Sequence, residues 1–187
     1  MMKRLFDFIL ALSLGTSFFL PILIIVLAVK LTSKGPALYW SDRVGKKNQI
    51  FKMPKFRSMK TDTPAVATHL LDDPKSVLTP IGDFLRKSSL DELPQLWNIL
   101  KGDMSFVGPR PALFNQADLI KLRTDQHIDS LIPGLTGLAQ INGRDELPIP
   151  EKVALDKQYL EQQSFKLDLK ILWLTFMKVI KKEGVSH

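Results

Sequence analysis

The chain has 187 residues, enough for one domain with a buried core, and its 26 Lys+Arg against 19 Asp+Glu give a net charge of +7. That balance suits a nucleic acid, an anionic membrane surface or a phosphorylated substrate, and does not choose among them. With no cysteine, a disulfide framework and cysteine-ligated zinc are excluded; His69, His127 and His187 are the remaining soft donors, so a metal here would be a hard one held by carboxylates, such as magnesium.

From Phe8 to Val29 run 22 residues without a charge, long enough to cross a bilayer and too long for a secretory signal. Pro21 lies inside the run, where it bends or breaks a helix. Lys3 and Arg4 precede it while Lys30, Lys34, Arg43, Lys46 and Lys47 follow, so the positive-inside rule places both ends on the cytoplasmic side. A re-entrant helix broken near Leu20-Pro21 satisfies both facts, with Ser13, Thr16 and Ser17 placed to bond the carbonyls freed at the bend. A tilted, kinked span is the alternative.

Ala37 to Trp40 and Gln49 to Met53 are rich in strand formers, and the polar run Gly45 to Asn48 between them predicts a hairpin. Lys55 and Arg57 fall on one face of an extended segment, as an anion site requires. Met53-Pro54 removes a donor and marks an edge. Thr61 to Pro80 carries Pro64, Pro74 and Pro80 without hydrophobic periodicity and reads as an irregular surface excursion in which His69 is exposed. Helical pattern resumes at Ile81, with Phe84 and Leu85 on one side and Arg86 and Lys87 at the end.

Ser88 to Pro111 holds the densest chemistry. Ser89 with Glu92 three residues on has capping-box spacing, and Pro94 suits a first turn, so Asp91 and Glu92 are expected at a helix N-terminus, where the macrodipole keeps carboxylates ionised and attracts phosphate. Two adjacent acids at such a place also read as simple caps. A Gly102-Asp103 turn follows, then Arg110 between two prolines. A helix is expected over about Ala112 to Leu122, with His127 on the surface after it. The glycines of Ile132 to Arg144 predict a tight loop whose backbone approaches a ligand, with neither Walker nor dinucleotide spacing. Glu151 to Gln163 and Lys166 to Lys182 read as helices; the second confines Asp168, Thr175, Lys178 and Lys182 to a narrow stripe, its wide apolar remainder being either core or sunk in a membrane interface.

These strings resemble the bacterial sugar transferases of the monotopic phosphoglycosyl transferase family. The likeness runs nearly the whole chain. It is strongest in Lys55-Phe56-Arg57-Ser58-Met59, in Leu85-Arg86 with Ser89 to Asn98, in Gly102-Asp103-Met104-Ser105 with Val107 to Pro111, and in Pro133 to Gly137 through Asn142-Gly143-Arg144.

The resemblance implies an α+β, mostly helical domain with a small hairpin. Residues 1–34 would form a re-entrant membrane anchor, and residues 35–187 a catalytic domain with amphipathic interfacial helices at the cytoplasmic face of a bacterial membrane. It implies transfer of a sugar-1-phosphate from a UDP-sugar to undecaprenyl phosphate, with release of UMP, starting assembly of a surface glycan. Asp91 would be the nucleophile, carrying the phosphosugar covalently, and Glu92 with Asp91 would hold Mg2+. By position Lys55, Arg86 and Arg110 would neutralise the diphosphate, Arg144 would sit on the nucleotide side, and Gln95 and Asp103 would give support. The family breaks its membrane helix at a Ser-Pro pair, where this chain has Leu20-Pro21.

Two other classes stay open: another membrane-bound phosphate enzyme, such as a one-step transferase or a diphosphate hydrolase with Asp91 as a base for lipid or water, and a non-enzymatic basic membrane adaptor for nucleic acid or anionic lipid. A nucleic-acid partner is not expected, since the basic clusters lack interleaved aromatics.

Overall fold

The computed structural model describes residues 2–64, 73, 75–143 and 147–181, so His69, Arg144, Lys182 and His187 lie outside the described residues. Helices α1 (Met2–Ser17) and α2 (Phe19–Thr32) are bent by 62° at Phe18. The break lies upstream of Leu20-Pro21, for a stereochemical reason. Pro21 is the third residue of α2; it cannot donate to the Ser17 carbonyl one turn back, and its ring crowds that carbonyl, so the helix fails there and Pro21 sits in a first turn that tolerates it. Thr16 supplies the hydroxyl at the bend, its Oγ1 lying 3.0 Å from the Leu12 carbonyl and 2.9 Å from that of Ser13. Among the described residues no single helix is long and apolar enough to cross a membrane; the bent pair together meets the length and composition.

Both outer ends of this pair are fastened to the same body. At the start of α1, Lys3 Nζ lies 2.7 Å from Asp168 Oδ2, Arg4 donates to the carbonyls of Ile99 and Leu100, and Asp7 accepts from the Phe106 N–H at 3.1 Å. Beyond the end of α2, the Arg57 guanidinium donates to the carbonyls of Ser33, Lys34 and Pro36 at 3.0, 2.5 and 2.7 Å. Lys3, Arg4 and Arg57 are thus engaged by the protein itself, and Arg57, 5% exposed, is first of all a clasp on the chain leaving α2.

Strands β1 (Leu38–Val44) and β2 (Ile50–Phe56) form the expected antiparallel hairpin, in register from Leu38 opposite Phe56 to Val44 opposite Ile50. Lys47 and Asn48 take left-handed conformations in the turn, and Pro54 faces Trp40 across the two-stranded sheet. The hairpin is longer than its strand-forming residues indicate, and so includes Lys55.

The chain continues through α3 (Gly82–Lys87), a 3-10 turn (Leu90–Gln95), α4 (Leu96–Lys101), β3 (Ser105–Val107), α5 (Ala117–Asp125), β4 (Gly134–Thr136), α6 (Leu138–Asn142), α7 (Ile149–Gln162) and α8 (Phe165–Lys181). Ala112 and Leu113, expected in a helix, instead lie along β1: Val44 N–H donates to the Ala112 carbonyl at 2.9 Å and Arg43 bridges Leu113, which delays α5 to Ala117. Pro109 and Pro111 hold this stretch extended and so make it available for pairing.

The glycine run expected as a loop contains β4, which pairs parallel with β3, and α6. Its glycines serve backbone packing: a Cβ on Gly134 would fall 2.1 Å from Gly108 N and 2.5 Å from the Thr136 carbonyl oxygen. Gly134→Ala is therefore expected to cost about 3 kcal/mol or more, read as a fall in the denaturation midpoint.

The main core joins Met53, Ile99, Met104, Phe106, Tyr159 and Ile171 with Ala11 of α1. In α8 the polar stripe turns inward: Asp168, 3% exposed, meets Lys3 and the Tyr159 hydroxyl, and Thr175 Oγ1 lies 2.7 Å from Thr136 Oγ1. Leu169, Trp173, Phe176 and Val179 of its apolar face are exposed, as are Phe19, Leu20, Leu23, Ile24, Leu27 and Leu31 around α2.

Candidate active site

Ser89 does not cap a helix start. It adopts the left-handed conformation (φ 55°) just after α3, its N–H donating to the Arg86 carbonyl, and its side chain makes no cap bond. The Asp-Glu pair that follows rides on a single 3-10 turn running into the short α4, so a long helix dipole does not act on it; side-chain cations do.

β2 packs against that turn and delivers Lys55. Its Nζ lies 2.7 Å from Glu92 Oε1 and 3.8 Å from Asp91 Oδ2. Arg110 Nη2 reaches the same Glu92 oxygen at 2.9 Å. Burial alone would raise the Glu92 carboxyl, but Arg110 and Lys55 together outweigh it and hold the group well below the usual carboxylate range. Asp91, 8% exposed, goes the other way: burial and the neighbouring Glu92 charge push its carboxyl up against the pull of Lys55, Arg110 and Arg86.

Asp91 opens onto a cavity of about 320 Å³ whose lining includes Lys55, Arg57, Arg86, Arg43, Tyr39 and Leu113. Tyr39 stands opposite Lys55 across the hairpin. Sequence reasoning passed over Tyr39. The register supplied a usable signal, since Tyr39 and Lys55 share a face once the hairpin extends to Phe56.

The structure thus brings Lys55, Arg86, Asp91, Glu92 and Arg110 together. Gln95 and Asp103 lie apart from the cavity. Gln95 is 1% exposed, with an Nε2 that has no hydrogen-bond partner among the described residues. Asp103 accepts from Asn98 Nδ2 at 3.1 Å and Lys101 Nζ at 2.8 Å, and Asn98 also donates to the Lys52 carbonyl, so this turn holds α4 against β2. Arg144 lies outside the described residues. His127 is exposed.

A divalent cation fits the donor chemistry. Among the described residues no three His, Asp or Glu side chains converge, so a cation held here would use the adjacent carboxylates of Glu92 and Asp91 and complete its shell from phosphate and water, as magnesium does. Glu92 stays ionised, as a ligand must, and both cationic hydrogen bonds fall on its Oε1.

Residues 1–182 match the bacterial sugar transferase family. The chain is 41% identical, over its whole length and 91% of the relative's, to a Bacillus subtilis protein named uncharacterized sugar transferase EpsL. It is 37% identical over 87% of its length to the undecaprenyl-phosphate galactose phosphotransferase of Salmonella typhimurium, and 39% identical over 95% of its length to the undecaprenyl-phosphate glucose phosphotransferase of Komagataeibacter xylinus. It spans only 37% and 36% of those two proteins.

Proposed function

Because the chain belongs to the bacterial sugar transferase family, we propose that it transfers a sugar-1-phosphate from a UDP-sugar to undecaprenyl phosphate through a covalent phosphosugar on Asp91. The observation that carries this reading is the division of labour in the acid pair. Glu92 is fixed and charged by short contacts to Lys55 and Arg110, whereas the adjacent Asp91 makes a longer ion pair with Lys55, at 3.8 Å, and faces the cavity.

In the first step an Asp91 carboxylate oxygen forms a bond to the sugar-linked phosphorus. The bond from that phosphorus to the bridging oxygen breaks, and UMP leaves with the electron pair. In the second, a phosphate oxygen of the lipid attacks the same phosphorus and the Asp91 carboxylate departs. A carboxylate approaching a diphosphate meets like charge; Lys55, Arg86 and Arg110 offset it, and magnesium held by Glu92 and Asp91 would supply further charge neutralisation when bound. Burial makes Asp91 a less stabilised and hence more reactive carboxylate.

The acceptor is a lipid, and the surface suits a bilayer. α2 is almost wholly apolar, and α8, although Asp168, Thr175 and Ile171 face the core, leaves Leu169, Trp173, Phe176 and Val179 exposed, so both helices present apolar surface that water covers poorly. With both ends of the α1–α2 pair tied to one body, a bilayer reading makes the pair re-entrant, since a span would carry one end to the other side.

Intact mass after mixing the full chain with a panel of UDP-sugars, magnesium and no lipid tests the reading. One sugar is expected to add a phosphosugar to wild type and nothing to Asp91→Asn. UMP release on adding undecaprenyl phosphate, with no adduct formed in its absence, would overturn the covalent route.

A further inference from the structure

The segment that presents Arg110 is poor in its own donors: Pro109 and Pro111 have no N–H, so it cannot join a sheet by giving hydrogen bonds and must be held by donors brought to its carbonyls. Four consecutive carbonyls are held in that way. Pro109 accepts from Gly134 N–H at 2.9 Å, Arg110 from Arg123 Nη1 at 2.8 Å, Pro111 from Arg43 Nη1 at 3.2 Å and Ala112 from Val44 N–H at 2.9 Å. The bond to Arg110 itself is made by a side chain that is in turn seated on a carboxylate. Arg123 Nε and Nη2 lie 3.0 and 2.6 Å from Asp156 Oδ2, and Asp156, on α7, is 1% exposed.

From this chain of contacts we propose that Arg123, seated on the buried carboxylate of Asp156, is a positioning residue that fixes the backbone of Arg110 and so aims its guanidinium at the diphosphate. The proposal rests on the reading of Arg110 as a diphosphate-binding cation. An arginine side chain is long, and where its head lies is decided first by where its backbone is held; a displacement of about 1 Å at a charged contact can cost up to about 10²-fold. Arg123 acts at a distance from the cavity. Its planar fork gives two donors to Asp156 and a third to the Arg110 carbonyl at once. A lysine keeps the charge but, as a compact ammonium, cannot hold both partners in one fixed plane.

The test is binding of inorganic pyrophosphate in magnesium buffer, by calorimetry, to the full chain as wild type, Arg110→Ala, Arg123→Lys and the double variant, each with its melting temperature. Arg110→Ala is expected to weaken binding about 10- to 100-fold, Arg123→Lys about tenfold, and the double variant no more than Arg110→Ala alone, because the second change acts only through the first. A merely structural Arg123 would lower the melting temperature and multiply with Arg110→Ala. Multiplying effects, or wild-type affinity in a folded Arg123→Lys, overturn the positioning role while leaving Arg110 in place. Wild-type affinity in Arg110→Ala, or no binding by wild type, removes the reading of Arg110 and the proposal with it. Should Arg123→Lys fail to fold, Asp156→Asn, which keeps the volume and loosens the same seat, replaces it with the same expectations.

Discussion

Asp91→Asn is expected to lower kcat by a factor on the order of 10⁴ or more while raising the melting temperature at neutral pH above that of wild type. The kinetic half follows from the chemistry proposed: an amide of the same shape fills the same place but offers no carboxylate to phosphorus. The thermodynamic half follows from burial. The folded protein holds the Asp91 carboxyl above its ordinary value, with desolvation the largest cause. A group so raised contributes stability that is complete below the ordinary carboxylate range and is lost as pH rises through the folded value, so at neutral pH the ionised Asp91 is a cost. Replacing it removes that cost. The gain in melting temperature should shrink to nothing as pH falls below about 4, where wild type carries a neutral side chain as well. A variant that loses activity together with stability at neutral pH would point to a structural aspartate.

Much of this arrangement was legible in the sequence. The hairpin was readable from its strand formers and turn, and the cations that meet the acid pair were readable from the family-like strings around Lys55, Arg86 and Arg110. What the sequence could not carry was orientation. Ser89 had the spacing of a capping box, but α3 ends only at Lys87, so Ser89 sits in the left-handed position after one helix and opens the next with its carbonyl, its hydroxyl capping nothing. In α8 the breadth of the apolar face left core and membrane interface both open; the buried partners Lys3, Tyr159 and Thr136 come from distant parts of the chain and turn the polar stripe inward beside Ile171, which leaves Leu169, Trp173, Phe176 and Val179 exposed. Arg123 and Asp156 are 33 residues apart, and neither belongs to a motif, so only their contact and the Arg110 carbonyl make them visible.

The helix pair shows the same dependence on distant partners. Charge counting used Lys3 and Arg4 only to place the ends of an apolar run; the structure binds both to the body that carries the site. Arg4 holds the end of α4, which follows the acid pair, and Asp7 holds β3, which leads to Gly108 and Arg110. The first turns of α1 therefore brace the segment that follows the acid pair and the strand that leads to Arg110, so residues before Phe8 belong to the site's scaffold.

Glu92→Gln should produce the opposite thermodynamic sign from its neighbour. Glu92 is the negative charge that Lys55 and Arg110 share, and their pull holds its carboxyl well below the usual range despite burial. Stability from a group lowered in this way is present above the ordinary carboxylate range and lost as pH falls towards the folded value. An amide cannot neutralise two cations, so the variant should lose about 2 kcal/mol at neutral pH, a figure kept modest because Arg110 is partly solvated. That difference should narrow in acid as wild-type Glu92 begins to take up a proton. Activity should fall about 10³-fold, since the side chains that would face the diphosphate lose their fixed partner and the carboxylate proposed to hold magnesium loses its charge. Adjacent substitutions that both remove one negative charge would then move the melting temperature in opposite directions at neutral pH and draw back towards wild type on acidification. If both move it the same way, the two carboxylates share one environment and the assignment of nucleophile to Asp91 and anchor to Glu92 falls.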